Sequence, residues 1–345
     1  MPDVHRDFRC CDRFAETAAA VRRSRRRLLK DAVLRAQDGQ RDGAAGPAAD
    51  GFPVPGQLPR AVTGTVHDIS PHVLVIGNGA SETRITLTSA ATAWRGGSLD
   101  PSGVQPGDRA VVRLHRSQRG VADRIWANIG RVTGIIVERD GDSLLVDEGK
   151  TKPRQLVTIP AGSFGRIQVR FPNLEPGYLI DVIGLRRPGE LEARIPGTSQ
   201  PAYPVHRLPA PAMVTPRVAS TISGSVTWHE PAEEPPGLLG ASYPALDPEA
   251  GCAEEPAGGE IAPRFVRMPC LAVGSLLLIR NDCTGSSCTL PVTGCAAMAR
   301  LFNDRCVTCG TSPRGRIADL TQASFISLGG ELDRGCFNAT ITVGR

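Results

Sequence analysis

Aromatic residues and long apolar runs are scarce in this sequence of 345 residues. Phe, Trp and Tyr together make up 4% of it, whereas it holds 38 glycines and 29 prolines. A membrane-spanning helix needs roughly 20 consecutive apolar residues. The longest apolar run, 271–279, has instead the length of a buried strand. These shortages argue against long helices and favour many short strands joined by turns.

A strong charge imbalance is also missing. The net charge is +5, and six of the ten positions in 21–30 are Arg or Lys, so the basic residues do not form a broad nucleic-acid footprint. The run Ser24-Arg25-Arg26-Arg27-Leu28-Leu29-Lys30 resembles the twin-arginine export motif, but charged residues follow where an export signal needs an apolar core. We expect 1–59 to be a basic, largely disordered leader, with a degenerate export signal as one alternative.

Cysteine is absent from 12–251 and concentrated after it. Eight of the ten cysteines fall in one C-terminal stretch, which indicates a disulfide framework and an oxidising compartment. We therefore expect the protein to be extracellular or associated with the cell wall. Zinc binding would be the alternative in a reducing compartment. The disulfide candidates are Cys252, Cys270, Cys283, Cys288, Cys295, Cys306, Cys309 and Cys336.

The middle of the chain repeats itself. The run "AVTGTVHDISPHVLVI" from Ala61 aligns without a gap with "RVTGIIVERDGDSLLV" from Arg131, an offset of 70 residues. The same offset places "VQPGDRAVVRL" from Val104 on "LEPGYLIDVIG" from Leu174. The sequence thus predicts two tandem units, 60–129 and 130–198.

Each unit resembles the OB-like modules that recur in exported bacterial proteins. The pattern is a strand, a turn, a second strand, a polar excursion, a Pro-Gly turn and further alternating strands, which predicts a small five-stranded barrel. OB-type barrels often bind oligonucleotides or oligosaccharides. The aromatic residues here, such as Trp94 and Trp126, are few and form no clustered RNP-like motif, so we expect no nucleic-acid partner. A structural spacer or a weak wall-binding module fits better.

A proline-rich linker, 199–218, precedes a C-terminal module, 219–345. This module resembles the double-psi β-barrel family of rare lipoprotein A, expansins and barwin-like proteins. The resemblance covers about 219–344 and depends on five segments: "SGSVTWHE" from Ser223, "MPCLAVGSLLLIRND" from Met268, "NDRCVTCG" from Asn303, "IADLTQASFISLG" from Ile317 and "GCFNATITV" from Gly335.

The fold class expected is all-β: two tandem OB-like small barrels followed by a disulfide-rich, six-stranded double-psi β-barrel. The resemblance implies Asp304 and Asp319 as catalytic residues and Thr227, Trp228 and Glu260 as substrate-binding residues. Protonation of a glycosidic oxygen requires a carboxylic acid, and a hydrolase adds a second carboxylate. The expected function is binding of cell-wall polysaccharide, peptidoglycan or another glycan, with wall loosening or weak peptidoglycan lysis as its catalytic version.

Several alternatives stay open. The family's histidine before the Leu-Pro pair is replaced here by "PRFVRMPC", in which Phe265 stands, so the residues leave open whether any bond is cleaved. Asp319 could instead be a helix N-cap. Cys306 and Cys309 could form a redox pair or half of a zinc knuckle. No cofactor, metal or membrane-spanning segment is expected, and a non-catalytic structural or adhesive envelope protein is the alternative function.

Overall fold

The structure is a computed structural model that describes residues 61–79, 81–149, 152–207, 221–230, 237–246, 268–269, 271–303, 305–306, 310–311 and 315–343. The predicted leader, 1–59, lies outside these residues, as does 208–218 of the predicted linker. The predicted all-β class is confirmed, with closed barrels of five and six strands. In the described part of the chain, no helix is both long and apolar enough to cross a membrane.

The first repeat forms a seven-stranded sheet in the order β3-β2-β1-β6-β7-β4-β5. A bridge between Thr86 and Val121 brings the free side of β3 next to β7. The strands β4 and β5 are an addition that the repeat pattern did not predict. The strands are β1 (Ala61–Ile69), β2 (Val73–Asn78), β3 (Ser81–Thr86), β4 (Thr92–Trp94), β5 (Ser98–Leu99), β6 (Arg109–Leu114) and β7 (Ala122–Ala127).

The second repeat closes into a five-stranded barrel in the order β10-β12-β11-β8-β9, called here the second barrel. Its helix α1 (Ala161–Arg170) stands between β10 and β11, where the first repeat has β4 and β5, and buries Ile167 in the barrel core. The strands are β8 (Ile129–Asp140), β9 (Ser143–Asp147), β10 (Gln155–Thr158), β11 (Leu179–Arg187) and β12 (Glu190–Pro196).

Backbone hydrogen bonds recur at the 70-residue offset. Val66 N–H donates to Asp108 O at 2.8 Å, and Ile136 N–H donates to Tyr178 O at 2.9 Å. A β-bulge also follows the first residue of each pair, between Val66 and Asp68 in one repeat and between Ile136 and Glu138 in the other. The repeated residues therefore occupy equivalent backbone positions.

Two glycines at the same offset explain why both copies keep the "VTG" run. A Cβ on Gly64 would lie 2.4 Å from Gly77 O, and a Cβ on Gly134 would lie 2.2 Å from Asp147 O. Any side chain at either position would collide with the backbone of the paired strand, so close strand contact requires glycine there.

The C-terminal part closes into a six-stranded barrel in the order β13-β19-β14-β16-β15-β20, called here the C-terminal barrel. The pairs β13–β19 and β14–β16 are parallel, and the other pairs are antiparallel. Its strands are β13 (Thr221–His229), β14 (Ala241–Tyr243), β15 (Leu276–Asn281), β16 (Ser287–Cys295), β19 (Arg316–Thr321) and β20 (Cys336–Val343); the pair β17 (Arg305–Cys306) and β18 (Gly310–Thr311) and helix α2 (Gln322–Ser327) complete the list.

Each repeat has its own apolar core, and one further cluster joins both repeats to the C-terminal barrel. A single cluster of buried side chains includes Trp126 of the first repeat, Ile183 of the second barrel and Trp228 of the C-terminal barrel. The described part of the predicted linker also packs against the barrel, because Tyr203 Oη donates to Leu301 O at 2.8 Å. Among the described residues, these contacts join both repeats and 199–207 to the C-terminal barrel.

The disulfide framework differs from the expectation. Cys283 and Cys295 are disulfide-bonded, but Cys288 carries a thiol, so the disulfide prediction is wrong for Cys288. Cys288 lies opposite Ile279 across β15 and β16, with no cysteine facing it there. Cys306 Sγ donates to Cys336 O at 3.5 Å. Cys252, Cys270 and Cys309 lie outside the described residues.

Candidate functional site

Asp319 and Thr227 form the centre of the candidate site. They are register partners in the parallel pair β13–β19, and Thr227 Oγ1 donates to Asp319 Oδ1 at 2.7 Å. The hydroxyl hydrogen bond fixes one carboxylate oxygen, as expected for a charge-assisted contact. Thr227 is fully buried, whereas Asp319 is half-buried. The structure therefore brings together two of the residues that the sequence singled out.

The alternation of strand side chains places this pair on the outer face of the barrel. Val226 and Trp228, on either side of Thr227, lie in the apolar core, as does Leu320 next to Asp319. On the other side of Asp319, the antiparallel strand β14 presents Ser242, which is its register partner and is also half-buried. Asp319 is thus a partly accessible carboxylate between two hydroxyl-bearing residues.

The helix-cap alternative for Asp319 is wrong. Asp319 lies inside β19, and helix α2 begins only at Gln322. Its N-cap is Thr321, whose side chain accepts a hydrogen bond from Ser324 N–H. Pairing with β13 and β14 holds the "IADLT" run as a strand, so capping does not account for Asp319.

Trp228 is not accessible to a substrate, so the prediction that it binds one is wrong. Its side chain is fully buried, and Nε1 donates to Leu332 O at 2.9 Å. The guanidinium of Arg131, from the second barrel, lies 5.5 Å from its ring centroid. Because both the ring and its polar edge have protein partners, Trp228 joins two barrels and offers no surface to a sugar. Thr227, likewise fully buried, holds Asp319 in place and is not itself a contact surface for a ligand.

His229 is a residue at this site that the sequence analysis did not select. It follows Thr227 by two positions on β13 and pairs in register with Thr321, two positions after Asp319. The period of two places it on the same face as Thr227, and it is half-buried. The alternation of side chains between the two faces of the strand "SGSVTWHE" is the sequence signal that points to His229.

A buried ionic cluster lies beside the site. Asp181, on β11 of the second barrel, receives hydrogen bonds from Arg131 Nε at 2.8 Å and Nη2 at 2.6 Å, and also contacts Arg316 Nη2. Complete burial opposes ionisation, but the guanidinium groups of Arg131 and Arg316 outweigh it and hold the pKa of Asp181 below its usual range. This carboxyl is therefore charged at neutral pH.

A pair of acidic residues, Glu230 and Glu148, lies where β13 ends. Glu230 accepts hydrogen bonds from Arg131 N and Arg186 Nη2, and its charge acts on Glu148 at the end of β9. Burial raises the pKa of Glu148, with Lys152 opposing the shift from 3.6 Å away. These contacts join the second barrel to the strand that carries Thr227.

The remaining predicted site residues, Asp304 and Glu260, lie outside the described residues. A catalytic role for Asp304 and substrate binding by Glu260 thus stay predictions. In the part of the chain that the structure describes, no three His, Cys, Asp or Glu side chains come together as metal ligands.

Comparison of the chain with protein families and with curated proteins finds no match. Its function must therefore be inferred from the geometry of its own residues.

Proposed function

We propose that the C-terminal barrel is a double-psi β-barrel that binds cell-wall polysaccharide at Asp319, in a secreted or envelope-associated protein. The observation that carries this proposal is the half-buried, partly accessible Asp319, held by Thr227 on the outer face of a closed six-stranded barrel. The two parallel strand pairs support the kinship with rare lipoprotein A and the expansins that the motifs suggest.

The chemistry of Asp319 suits a sugar. A carboxylate accepts hydrogen bonds through both of its oxygens, and Thr227 engages Oδ1. Oδ2 can then accept from a sugar hydroxyl, while Ser242, beside it on β14, supplies a further hydroxyl that both donates and accepts. We propose that binding and loosening of glycan chains are the main activity.

Lysis of peptidoglycan is the catalytic version of this proposal. A lytic reaction needs one carboxylic acid to protonate the glycosidic oxygen, since a hydroxyl of the sugar itself makes the attack. Asp319 is the residue we assign to that role. Its partly exposed carboxylate permits contact with a glycosidic oxygen, whereas fully buried Asp181 does not.

The test compares Asp319→Asn with the wild type on insoluble peptidoglycan and cellulose. We expect retention to fall by about tenfold, equivalent to one lost charge-assisted hydrogen bond. Asp282→Asn is the matched control, because Asp282 lies elsewhere on the same barrel and pairs with Arg280 and Thr340. Release of anhydro-sugar products would mark lysis, and binding without release would mark loosening. No retention of the wild type on either glycan would contradict the proposal and favour a structural role.

A further inference from the structure

The buried carboxylate of Asp181 contacts more than its own barrel. Besides Arg131, it accepts from Thr133 Oγ1 at 3.2 Å and Thr198 Oγ1 at 3.1 Å, both in the second barrel. Its remaining partner, Arg316, is the first residue of β19 in the C-terminal barrel and is 1% exposed. One side chain of the second barrel therefore holds the strand that carries Asp319.

The same carboxylate also reaches β13, through Arg131. Arg131 Nη1 donates to Gly335 O at 2.6 Å, directly before Cys336, which is the register partner of Thr227 on β20. The guanidinium also covers the ring of Trp228, the residue after Thr227. Asp181 thus acts on both strands of the Thr227–Asp319 hydrogen bond: Arg316 is part of β19, and Arg131, on β8, contacts Trp228 of β13.

The space around Asp181 leaves little room for another arrangement. A Cβ on Gly197 would lie 2.4 Å from Asp181 Oδ1 and 3.1 Å from Arg131 Nη2. The cluster also holds two buried guanidinium groups against one carboxylate. Removing the negative charge would take the ion pair with Asp181 from both buried guanidinium groups, so each strand would lose its charged link to the second barrel.

We propose that Asp181 is a positioning residue for the Asp319 site, fixing β13 and β19 relative to each other through Arg131 and Arg316. This inference rests on the proposed function in one respect: it makes glycan affinity depend on the docking of the second barrel. The second barrel is then part of the glycan-binding unit and not a spacer that precedes it.

The test uses the full chain carrying Asp181→Asn and measures amide hydrogen exchange in peptides covering 225–229 and 316–321. We expect exchange in both segments to rise by about tenfold or more at temperatures well below global unfolding. Retention on the glycan that binds the wild type should fall by about tenfold at equal folded fraction.

Asp108→Asn is the matched control. Asp108 is 5% exposed and receives hydrogen bonds from Arg95 and Asn128, but it lies in the first repeat. It should lower stability while leaving exchange in 225–229 and 316–321 and glycan retention within about twofold of the wild type. Equal changes in the two variants would overturn the proposal, because Asp181 would then act only through overall stability.

A milder variant covers the case in which Asp181→Asn does not fold. Thr133→Val removes one hydrogen bond to Asp181 and keeps its charge, and we expect a smaller rise of exchange in the same two segments. Unchanged exchange there would overturn the positioning role. If the wild type binds no glycan, the proposed function fails, yet the exchange experiment still decides whether Asp181 controls these strands.

Discussion

Trp126 of the first repeat donates its Nε1–H to the carboxylate of Asp333 at 2.7 Å, although the two residues are 207 positions apart. Arg124 Nη2 donates to the same carboxylate at 2.8 Å. Arg113 and Arg124 also lie over the Trp126 ring, at 5.7 and 5.5 Å from its centroid. A polar contact thus accompanies the shared apolar cluster where the first repeat meets the C-terminal barrel.

Asp333→Asn should lower the free energy of unfolding by about 1.5–3 kcal/mol, because it removes the charge that two donors share. Asp123→Asn is the control: Asp123 pairs with Arg113 at 2.7 Å but is 41% exposed, so the loss should stay below about 1 kcal/mol. Urea unfolding followed by tryptophan fluorescence measures both. Equal losses in the two variants would show that Asp333 contributes no more than a surface ion pair.

Local patterns predicted the strands well and the contacts between barrels not at all. The repeat was visible because its glycines and turns recur at a fixed offset, and each has a local structural cause such as the close approach at Gly64. The cluster of Arg131, Asp181 and Arg316 joins residues that are distant in sequence. Buried ionic partners of this kind have no periodicity, so only the folded chain reveals them.

At the candidate site, too, local sequence patterns are not sufficient, and contacts between distant residues decide the structure. "IADLTQASF" contains two good N-cap residues, Asp319 and Thr321, and local propensity does not choose between them. Pairing with β13 and β14 decides it by keeping Asp319 in a strand. The family resemblance implies substrate contact for Trp228, whereas its alternation with Thr227 places it in the core.

Thr227→Val should weaken the candidate site while keeping the shape of the side chain. The change removes the donor to Asp319 Oδ1, so we expect a loss of about 1.5–3 kcal/mol in unfolding free energy and weaker glycan retention. Thr221→Val, at an exposed position on the same strand, should leave both within experimental error. Thermal unfolding and a peptidoglycan pull-down provide the measurements. Retention equal to that of the wild type would show that Thr227 does not orient Asp319 for a ligand.

Cysteine labelling should separate two classes of cysteine in the unreduced protein. Burial raises the pKa of Cys288 to about 11, and the thiolate is the reactive form, so iodoacetamide at about pH 8 should leave the folded protein unlabelled there. Denaturant alone should expose Cys288, whereas Cys283 and Cys295 should react only after reduction. Peptide mass spectrometry reads all three sites. Labelling of Cys283 or Cys295 without reductant would contradict the disulfides.

Glu148→Gln should stabilise the protein at neutral pH. Burial raises the pKa of Glu148 in the folded state, so the folded chain binds this proton more tightly than the unfolded chain does. The stability that the proton provides is complete below the unfolded pKa, about 4.3, and is lost as the pH rises through the higher folded value. The neutral glutamine keeps an oxygen that can accept from Thr133 N–H without the cost of burying a charge.

The melting temperature of Glu148→Gln should therefore exceed that of the wild type at pH 7, and the difference should vanish near pH 4. Glu138→Gln, at an exposed position on β8, should show no difference at either pH. Scanning calorimetry of the three proteins at both pH values measures the effect as a difference from the wild type, which cancels the titration of all other groups. A lower melting temperature for Glu148→Gln at pH 7 would show that the contact with Lys152 outweighs the cost of burial.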